Sequence, residues 1–404
     1  MLKYFFDIEF FSLLLFSITR FFFDFGVYGV TSHGVYSQYS FTLMMAGALS
    51  FFTLGATNGL NFVLPTISGR YKKNNLLNKI LLGLAINFLG TIFIFIASLI
   101  SMKSSAYSSN SIALIFFISF SQMLINYGIV IFRNLARSKI NKYLILLSCI
   151  YYFIYVLFTR NVDQHLCFIL LGVFQIILTT FYLVPFYKSL GPLMIDSNEI
   201  KKNISIIIKP GLKLVMCGQL FFILANVDKF IAYIFFNDSF FARLSFLSSI
   251  SSIIVGISSM FLSVKQPNVL RSLKSMKALD KIKFSKHYIK AGFYFSIFSA
   301  FGILLILSQN FFPIEYKYQL NITEYLRVLA SAALVTIFFQ SSFLQYMGKW
   351  RDSIIFLGVS CLFTFLCCLV YALLFESDFV GLSSVYFMSL ILSFFSINYF
   401  FKAN

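Results

Sequence analysis

Long apolar stretches separated by short polar segments run through the whole chain. Each stretch is about 20 residues long, which is the length that an α-helix needs to cross the hydrocarbon core of a bilayer. The pattern therefore predicts an all-α polytopic membrane protein with about twelve transmembrane helices and no soluble domain between them. The predicted spans lie near residues 9–30, 38–64, 78–101, 110–132, 143–159, 165–187, 209–236, 240–264, 288–309, 324–347, 353–375 and 380–401.

The composition agrees with this class of protein. Of the 404 residues, 59% are hydrophobic and 11% are charged, whereas soluble domains carry about 25% charged residues. The mean hydropathy is +0.86. We expect no cleavable signal peptide, because the first apolar run carries Arg20 and Asp24 and no small-residue cleavage pattern follows it.

The distribution of the basic residues predicts the orientation. A net charge of +18 would suggest a nucleic-acid partner in a soluble protein. Here, however, 25 of the 32 Lys and Arg residues fall in the segments that lie on the same side as the N-terminus if the spans alternate. Cytoplasmic loops carry such an excess. We therefore expect both termini in the cytoplasm, a multi-pass protein of the bacterial inner membrane, and no binding of nucleic acid.

The spans divide into two sets of six. The segment from about 188 to 208 interrupts the hydrophobicity with Gly191, Pro192, Asp196 and Glu199, so we predict two domains, residues 1–195 and 196–404, each a six-helix bundle. An even number of spans in each half makes any internal repeat a parallel one. A substrate path is then expected in a central cavity between the two bundles.

Charged residues inside the predicted spans are the first candidates for function, because each costs about 2.5–3.5 kcal/mol at the centre of a membrane helix. Arg20 and Asp24 lie four residues apart on one face of the first span, either as a self-neutralising pair or as part of a water-filled cavity. In the seventh span, Asp228 and Lys229 are adjacent and point about 100° apart. At least one of them must face protein or water, unless Lys229 extends to the interface.

The remaining embedded polar residues allow two interpretations. Arg243 and Arg327 stand near the predicted outer ends of their spans, where an interfacial anchor is the simpler explanation. Uncharged polar side chains such as Asn58, Asn226 and Gln340 either line a hydrophilic path or join helices by hydrogen bonds. The basic stretch from Arg271 to Lys290 would suit anionic headgroups, although a solvated loop that fixes the topology is the simpler interpretation.

Known catalytic and cofactor motifs are missing from the sequence. Its three His residues, His33, His165 and His287, are scattered, so no zinc spacing is present. Gly348-Lys349 lacks the upstream glycine of a nucleotide-binding loop. We therefore expect no direct ATP hydrolysis and no bound cofactor.

Several short motifs resemble the polysaccharide flippase family, the transporters of O-antigen and oligosaccharide repeat units in the multidrug/oligosaccharidyl-lipid/polysaccharide exporter superfamily. The segment 26–41 is similar to the family's small-residue turn and Gly-x-Tyr entry into the second helix, and 55–58 followed by the basic 70–73 is similar to the end of that helix. Residues 226–230 (Asn-Val-Asp-Lys-Phe) resemble the family's Asn-x-Asp-Arg/Lys segment. Pro267 looks like the proline that closes its eighth helix. Where a second Gly-x-Tyr is expected, the chain has Phe241-Ala242-Arg243.

The resemblance implies a flippase, a secondary transporter and not an enzyme. It would carry a polyprenyl-diphosphate-linked oligosaccharide from the cytoplasmic to the periplasmic face by alternating access. The implied partners are this lipid-linked oligosaccharide, membrane lipids, and the polysaccharide polymerase and chain-length regulator of the same pathway. A diphosphate needs cations, so the candidate substrate residues are Arg20, Lys229 and Arg243, with the polar Asn58, Asn226 and Gln340. Asp24 and Asp228 are the candidates for coupling to a proton or Na⁺ gradient.

Two other functions remain open from the sequence. A membrane polysaccharide polymerase of the same pathway would have similar size and composition, although its large arginine-bearing outer loop is not evident here. A drug or cation antiporter of the same superfamily would have the same helices, with more acids than bases facing its cargo. A structural or scaffolding membrane protein is the least favoured alternative.

Overall fold

The computed structural model consists of helices, as the hydrophobic pattern predicted. It describes residues 8–67, 73–102, 108–135, 137–160, 162–189, 197–275, 278–308, 322–375 and 379–403, and no strand occurs in these ranges. The helices of the first half are α1 (Ile8–Val30), α2 (His33–Ala48), α3 (Ala56–Ile67), α4 (Lys73–Ser101), α5 (Ser109–Leu135), α6 (Arg137–Thr159) and α7 (Gln164–Ser189). Those of the second half are α8 (Ser197–Phe235), α9 (Asp238–Ser275), α10 (Ala278–Ser308), α11 (Ile322–Tyr346), α12 (Trp350–Leu374) and α13 (Phe379–Ala403).

These helices confirm the polytopic membrane fold. Within the described ranges, nine helices are long and apolar enough to cross a membrane. The predicted second span, 38–64, is formed by α2 and α3 together, with a break between them. When these two are counted as one interrupted span, six spans precede α8 and six begin with it. The number of helical segments therefore agrees with the expected twelve, and α2, α3, α10 and α13 are not among the nine described helices that meet the length and hydropathy of a span.

Two expectations about the segment from Pro267 to Lys290 are wrong. The helix α9 continues to Ser275, so Pro267 does not end it. A proline inside a helix removes one backbone hydrogen bond, and long helices accommodate this with a local bend. Since α10 begins at Ala278, most of the stretch from Arg271 to Lys290 is helical and not a loop.

The chain divides into two compact units. The N-terminal unit comprises Met1–Phe23 and Val30–Gln219, and the C-terminal unit comprises Asp24–Gly29 and Leu220–Asn404. The division in the second half falls inside α8, after Gln219. The predicted domain limits, 1–195 and 196–404, therefore remain a prediction.

Each unit has its own packed interior. In the N-terminal unit, α5 packs against α7, α4 and α2, and α3 against α4 and α5. In the C-terminal unit, α11 packs against α9, α10, α12 and α13. This makes α11 the central helix, which is mostly buried, whereas most of α12 is exposed at the surface of the unit. Polar side chains on α11 are consequently enclosed by protein and not by lipid.

Candidate functional site

The candidate site is a group of charged side chains inside the C-terminal unit, and it begins at Asp228 and Lys229 of α8. Asp228 is fully buried, whereas Lys229 is half-buried. Adjacent residues on a helix point about 100° apart, so these two charges face different surroundings. The Asp228 carboxylate also accepts a hydrogen bond from the backbone N–H of Lys229, with 3.0 Å between Oδ1 and N.

The partner of Asp228 is Arg327 of α11. Its Nε forms an ion pair with Asp228 Oδ2, and both side chains are fully enclosed. A second contact joins Arg327 Nη2 to Asp228 Oδ1 at 3.3 Å. The guanidinium and the carboxylate therefore meet side by side, in the paired geometry that gives strong charge-assisted hydrogen bonds. Desolvation of two ions is costly, so such a pair needs further hydrogen bonds around it.

Those further contacts come from other helices of the unit. Arg327 Nη1 donates to Ser251 Oγ of α9 at 3.2 Å, and Nη2 donates to the Ala225 carbonyl of α8 at 3.3 Å. The Tyr386 ring of α13 covers the guanidinium, with 4.5 Å between Cζ and the ring centroid. Tyr386 in turn donates its hydroxyl to the Leu224 carbonyl at 3.1 Å. Arg327 thus links α8, α9, α11 and α13.

Lys229 remains as a cation without a carboxylate partner. Among the residues that the structure describes, no acidic group lies within ion-pair distance of its ammonium. The charges of Asp228, Arg327 and Asp24 act on it electrostatically. Asp24 belongs to the part of α1 in the C-terminal unit and is buried, with 8% of its surface exposed. Lys229 is therefore half-buried close to two acids and one base, and its ammonium is paired with none of the acids.

The other predicted site residues have different environments. Asn226 is buried and donates Nδ2 to the Phe222 carbonyl of its own helix at 2.8 Å. Gln340 is 2% exposed and its Oε1 has no hydrogen-bond partner in the described structure. It lies 13 residues after Arg327 on α11, about 20 Å along the helix. Gln340 is therefore not part of the charged group.

Two further candidates lie in the N-terminal unit, and a third is half-buried in the C-terminal unit. Arg20 is half-buried and belongs to the N-terminal unit, as does Asn58, which is exposed on α3. Arg243 is half-buried near the start of α9 in the C-terminal unit. Of the residues singled out from the sequence, Asp228, Lys229 and Arg327 lie together, and the charge of Asp24 acts on Lys229.

The interpretation of Arg327 as an interfacial anchor is wrong, because its side chain is fully buried and ion-paired. Its position near the end of an apolar stretch suggested the interface, and no sequence pattern indicated its partner on α8. One signal was available: Ser331 follows four residues later, so two polar residues share one face of an apolar helix. Tyr386 and Ser251 carried no distinguishing signal among many Tyr and Ser residues.

A metal centre is not supported in the described part of the chain. No group of three or more His, Cys, Asp or Glu side chains there could hold a metal ion. The group of charged residues can instead attract a charged ligand electrostatically. It offers one cation without an acidic partner, next to a neutralised ion pair, in a helix long and apolar enough to cross the membrane.

Sequence comparisons identify no relatives: no family model and no curated protein matches the chain. Solved structures do match. A multidrug resistance MATE family transporter of the MOP superfamily, in an inward-facing conformation, matches with a TM-score of 0.62 and 13% identity, covering 97% of this chain and 98% of that one. A MATE in complex with MaD3S matches with a TM-score of 0.60 and 13% identity, covering 98% and 94% of the two chains.

A third structural match is a MOP superfamily transporter from Pyrococcus furiosus, for which reverse polarity of the binding pocket suggests a different function. It has a TM-score of 0.55 and 12% identity, and covers 98% of this chain and 95% of its own. At such identities the likeness concerns the fold. The chain therefore has the fold of MATE transporters of the MOP superfamily, and its assignment to the flippase family stays a prediction.

Proposed function

We propose that this protein is a flippase for an anionic lipid-linked oligosaccharide, a polyprenyl-diphosphate carrying an O-antigen or capsule repeat unit. It would act in the bacterial inner membrane and turn this lipid from the cytoplasmic to the periplasmic face. The observation that carries the proposal is Lys229, an intramembrane cation with no described carboxylate within ion-pair distance of its ammonium.

The charge pattern supports an anionic cargo. Electrostatic attraction is much stronger in a low-dielectric interior than in water, and a diphosphate therefore needs a cation along its path. The carboxylate of Asp228 forms its ion pair with Arg327 and not with the Lys229 ammonium. In this arrangement Arg327 neutralises the acid and leaves Lys229 available to the phosphate groups.

The same geometry distinguishes the two acids proposed for ion coupling. Protonation of Asp228 would leave the Arg327 guanidinium buried without its counter-charge, which is strongly destabilising. Asp24 carries no such cost from Arg327 and is therefore the better candidate for exchanging a proton or Na⁺. Coupling to the gradient would drive alternating access.

Export of drugs or other organic cations is the second candidate function. It is favoured by the fold match to a transporter described as a multidrug resistance MATE. In that case Asp24 would attract the cargo and Lys229 would oppose it. The transporter fold gives no such support to the polysaccharide polymerase.

Deletion of the gene in its own host, followed by analysis of lipid-linked intermediates and drug susceptibility, tests these functions. A flippase predicts accumulation of complete repeat units on the cytoplasmic face, and unchanged drug susceptibility. A drug exporter predicts normal surface polysaccharide and increased susceptibility. Single repeat units transferred to the surface without polymer would indicate the polymerase, and normal lipid intermediates would contradict the flippase.

A further inference from the structure

The membrane span formed by α2 and α3 is interrupted in its middle. The helix α2 ends at Ala48, a short 3-10 helix occupies Ser50–Thr53, and α3 begins at Ala56. Between them, Leu54 and Gly55 have positive φ angles of 49° and 66°. Irregular backbone at membrane depth is tolerated where it is enclosed by protein or lines a water-filled cavity. Interrupted helices of this kind form substrate sites in many transporters.

Glycines hold this break against two neighbouring helices of the same unit. A Cβ on Gly90 of α4 would lie 2.7 Å from the carbonyl oxygen of Phe52. On the other side, a Cβ on Gly211 of α8 would overlap the Gly55 carbonyl. The backbones therefore approach one another closely, as small residues permit between membrane helices. The break is a packed feature of the N-terminal unit.

A buried carboxamide reaches the break from α8. Ser50 Oγ donates to Gln219 Oε1 at 2.7 Å. Gln219 is 8% exposed, and its Nε2 is a buried atom with no hydrogen-bond partner in the described structure. A carboxamide turned end for end exchanges its donor and acceptor, but in either orientation one end bonds Ser50 and the other lacks a partner. An unpaired buried polar group of this kind is unfavourable until a ligand or water supplies its partner.

The chemistry around Gln219 suits an uncharged polar group. Residues 49–56 contain no charged side chain, and Thr53 Oγ1 donates to the Ser50 carbonyl at 2.7 Å. Ser50 is half-exposed, so its hydroxyl is not sealed inside the protein. A hydroxyl group both donates and accepts, and therefore satisfies Gln219 in either orientation.

We propose that the break between α2 and α3 binds a sugar hydroxyl of the cargo through Gln219 and Ser50. The inference rests on the proposed function, because it assigns the glycan part of the proposed cargo to the break in the N-terminal unit. Loss of Gln219 should therefore affect recognition of the sugar and leave recognition of the lipid diphosphate unchanged.

The test compares two probes on the full-length protein in nanodiscs: polyprenyl diphosphate that carries the host's repeat unit, and polyprenyl diphosphate alone. Gln219→Leu should bind the glycosylated lipid about tenfold more weakly, the effect of one lost hydrogen bond to a group that must then stay buried, and should bind the bare lipid like the wild type. Gln122→Leu, which changes a half-buried glutamine of α5, is the matched control. Equal losses for both lipids, or no loss, would overturn the proposal.

A second measurement avoids dependence on the folding of Gln219→Leu. In Ser50→Cys, a water-soluble maleimide should label the new thiol above the wild-type background, and the glycosylated lipid should slow labelling more than the bare lipid does. No labelling, or equal protection by both lipids, would contradict the site. If the wild type binds neither lipid, the proposed function itself fails. If it binds both and the variants behave like the wild type, the failure concerns the break alone.

Discussion

Arg327 and Asp228 form an ion pair that is closed to solvent on both sides and joins the central helix α11 to α8. The pair is surrounded by contacts from α9 and α13, so its geometry is fixed by four helices. Replacing a whole buried pair by apolar groups is often tolerated, whereas removing one partner leaves an uncompensated charge. The contribution of the pair can therefore be measured by comparing the stability of a variant that lacks one partner with that of a variant that lacks both.

Arg327→Met should destabilise the protein by about 3–5 kcal/mol, because Asp228 would be left as an unpaired buried carboxylate. Thermal unfolding of the detergent-solubilised protein would report the loss as a clearly lower Tm. Lys213→Met, which changes an exposed lysine of α8, is the matched control and should melt like the wild type. The double variant Arg327→Met/Asp228→Leu should recover most of the loss; a double variant less stable than Arg327→Met would contradict the ion pair as the cause.

Tyr386 contributes to this arrangement through two separable contacts. Tyr386→Phe removes the hydroxyl that bonds the Leu224 carbonyl but keeps the ring over Arg327, so it should cost about 1 kcal/mol. Tyr386→Leu also removes the cation–π contact, which is worth up to about 2 kcal/mol when desolvated, and should cost more. The Tm values of the two variants check the order. Equal values would show that the ring over Arg327 contributes nothing.

Two glycines should respond oppositely to alanine. Gly211→Ala places a methyl group against the Gly55 carbonyl, and overpacking of this kind typically costs about 1–3 kcal/mol. Gly358 of α12 has no atom within 4 Å of the position that a Cβ would take. Gly358→Ala should therefore be neutral or stabilise by up to about 1 kcal/mol. A Tm unchanged in Gly211→Ala would show that α3 and α8 do not pack as closely as the structure indicates.

The hydrophobic pattern was sufficient to predict the helices, because a membrane span needs about 20 apolar residues and the chain repeats that length. It did not predict the break after Ala48, since Leu54 and Gly55 continue an apolar run and the break depends on packing of Gly90 and Gly211. The energetic cost of embedded charge identified Asp228 and Lys229. It did not identify Arg327 as their neighbour, because 99 residues separate it from Asp228 and the sequence contains no rule for that pairing.

Lys229→Gln should reduce transport of the anionic lipid while leaving stability nearly unchanged, because no described acid lies within ion-pair distance of its ammonium. Loss of a hydrogen bond to a charged group costs about 1.5–3 kcal/mol, which corresponds to roughly 10- to 150-fold in affinity. Flipping of the lipid-linked oligosaccharide in proteoliposomes checks this value, with Lys213→Gln of the same helix as the control. Wild-type flipping by Lys229→Gln would remove the main support for the proposed function.

The orientation inferred from the basic residues can be tested at two exposed positions. Arg160 follows α6 and Lys349 precedes α12, and both are exposed. Because cytoplasmic loops carry the excess of Lys and Arg, we expect Arg160 outside and Lys349 inside. In a background with the six cysteines replaced, a membrane-impermeant maleimide added to intact spheroplasts should label Arg160→Cys at once and Lys349→Cys after permeabilisation. The reverse order would place the termini, and the direction of transport inferred from them, on the opposite side.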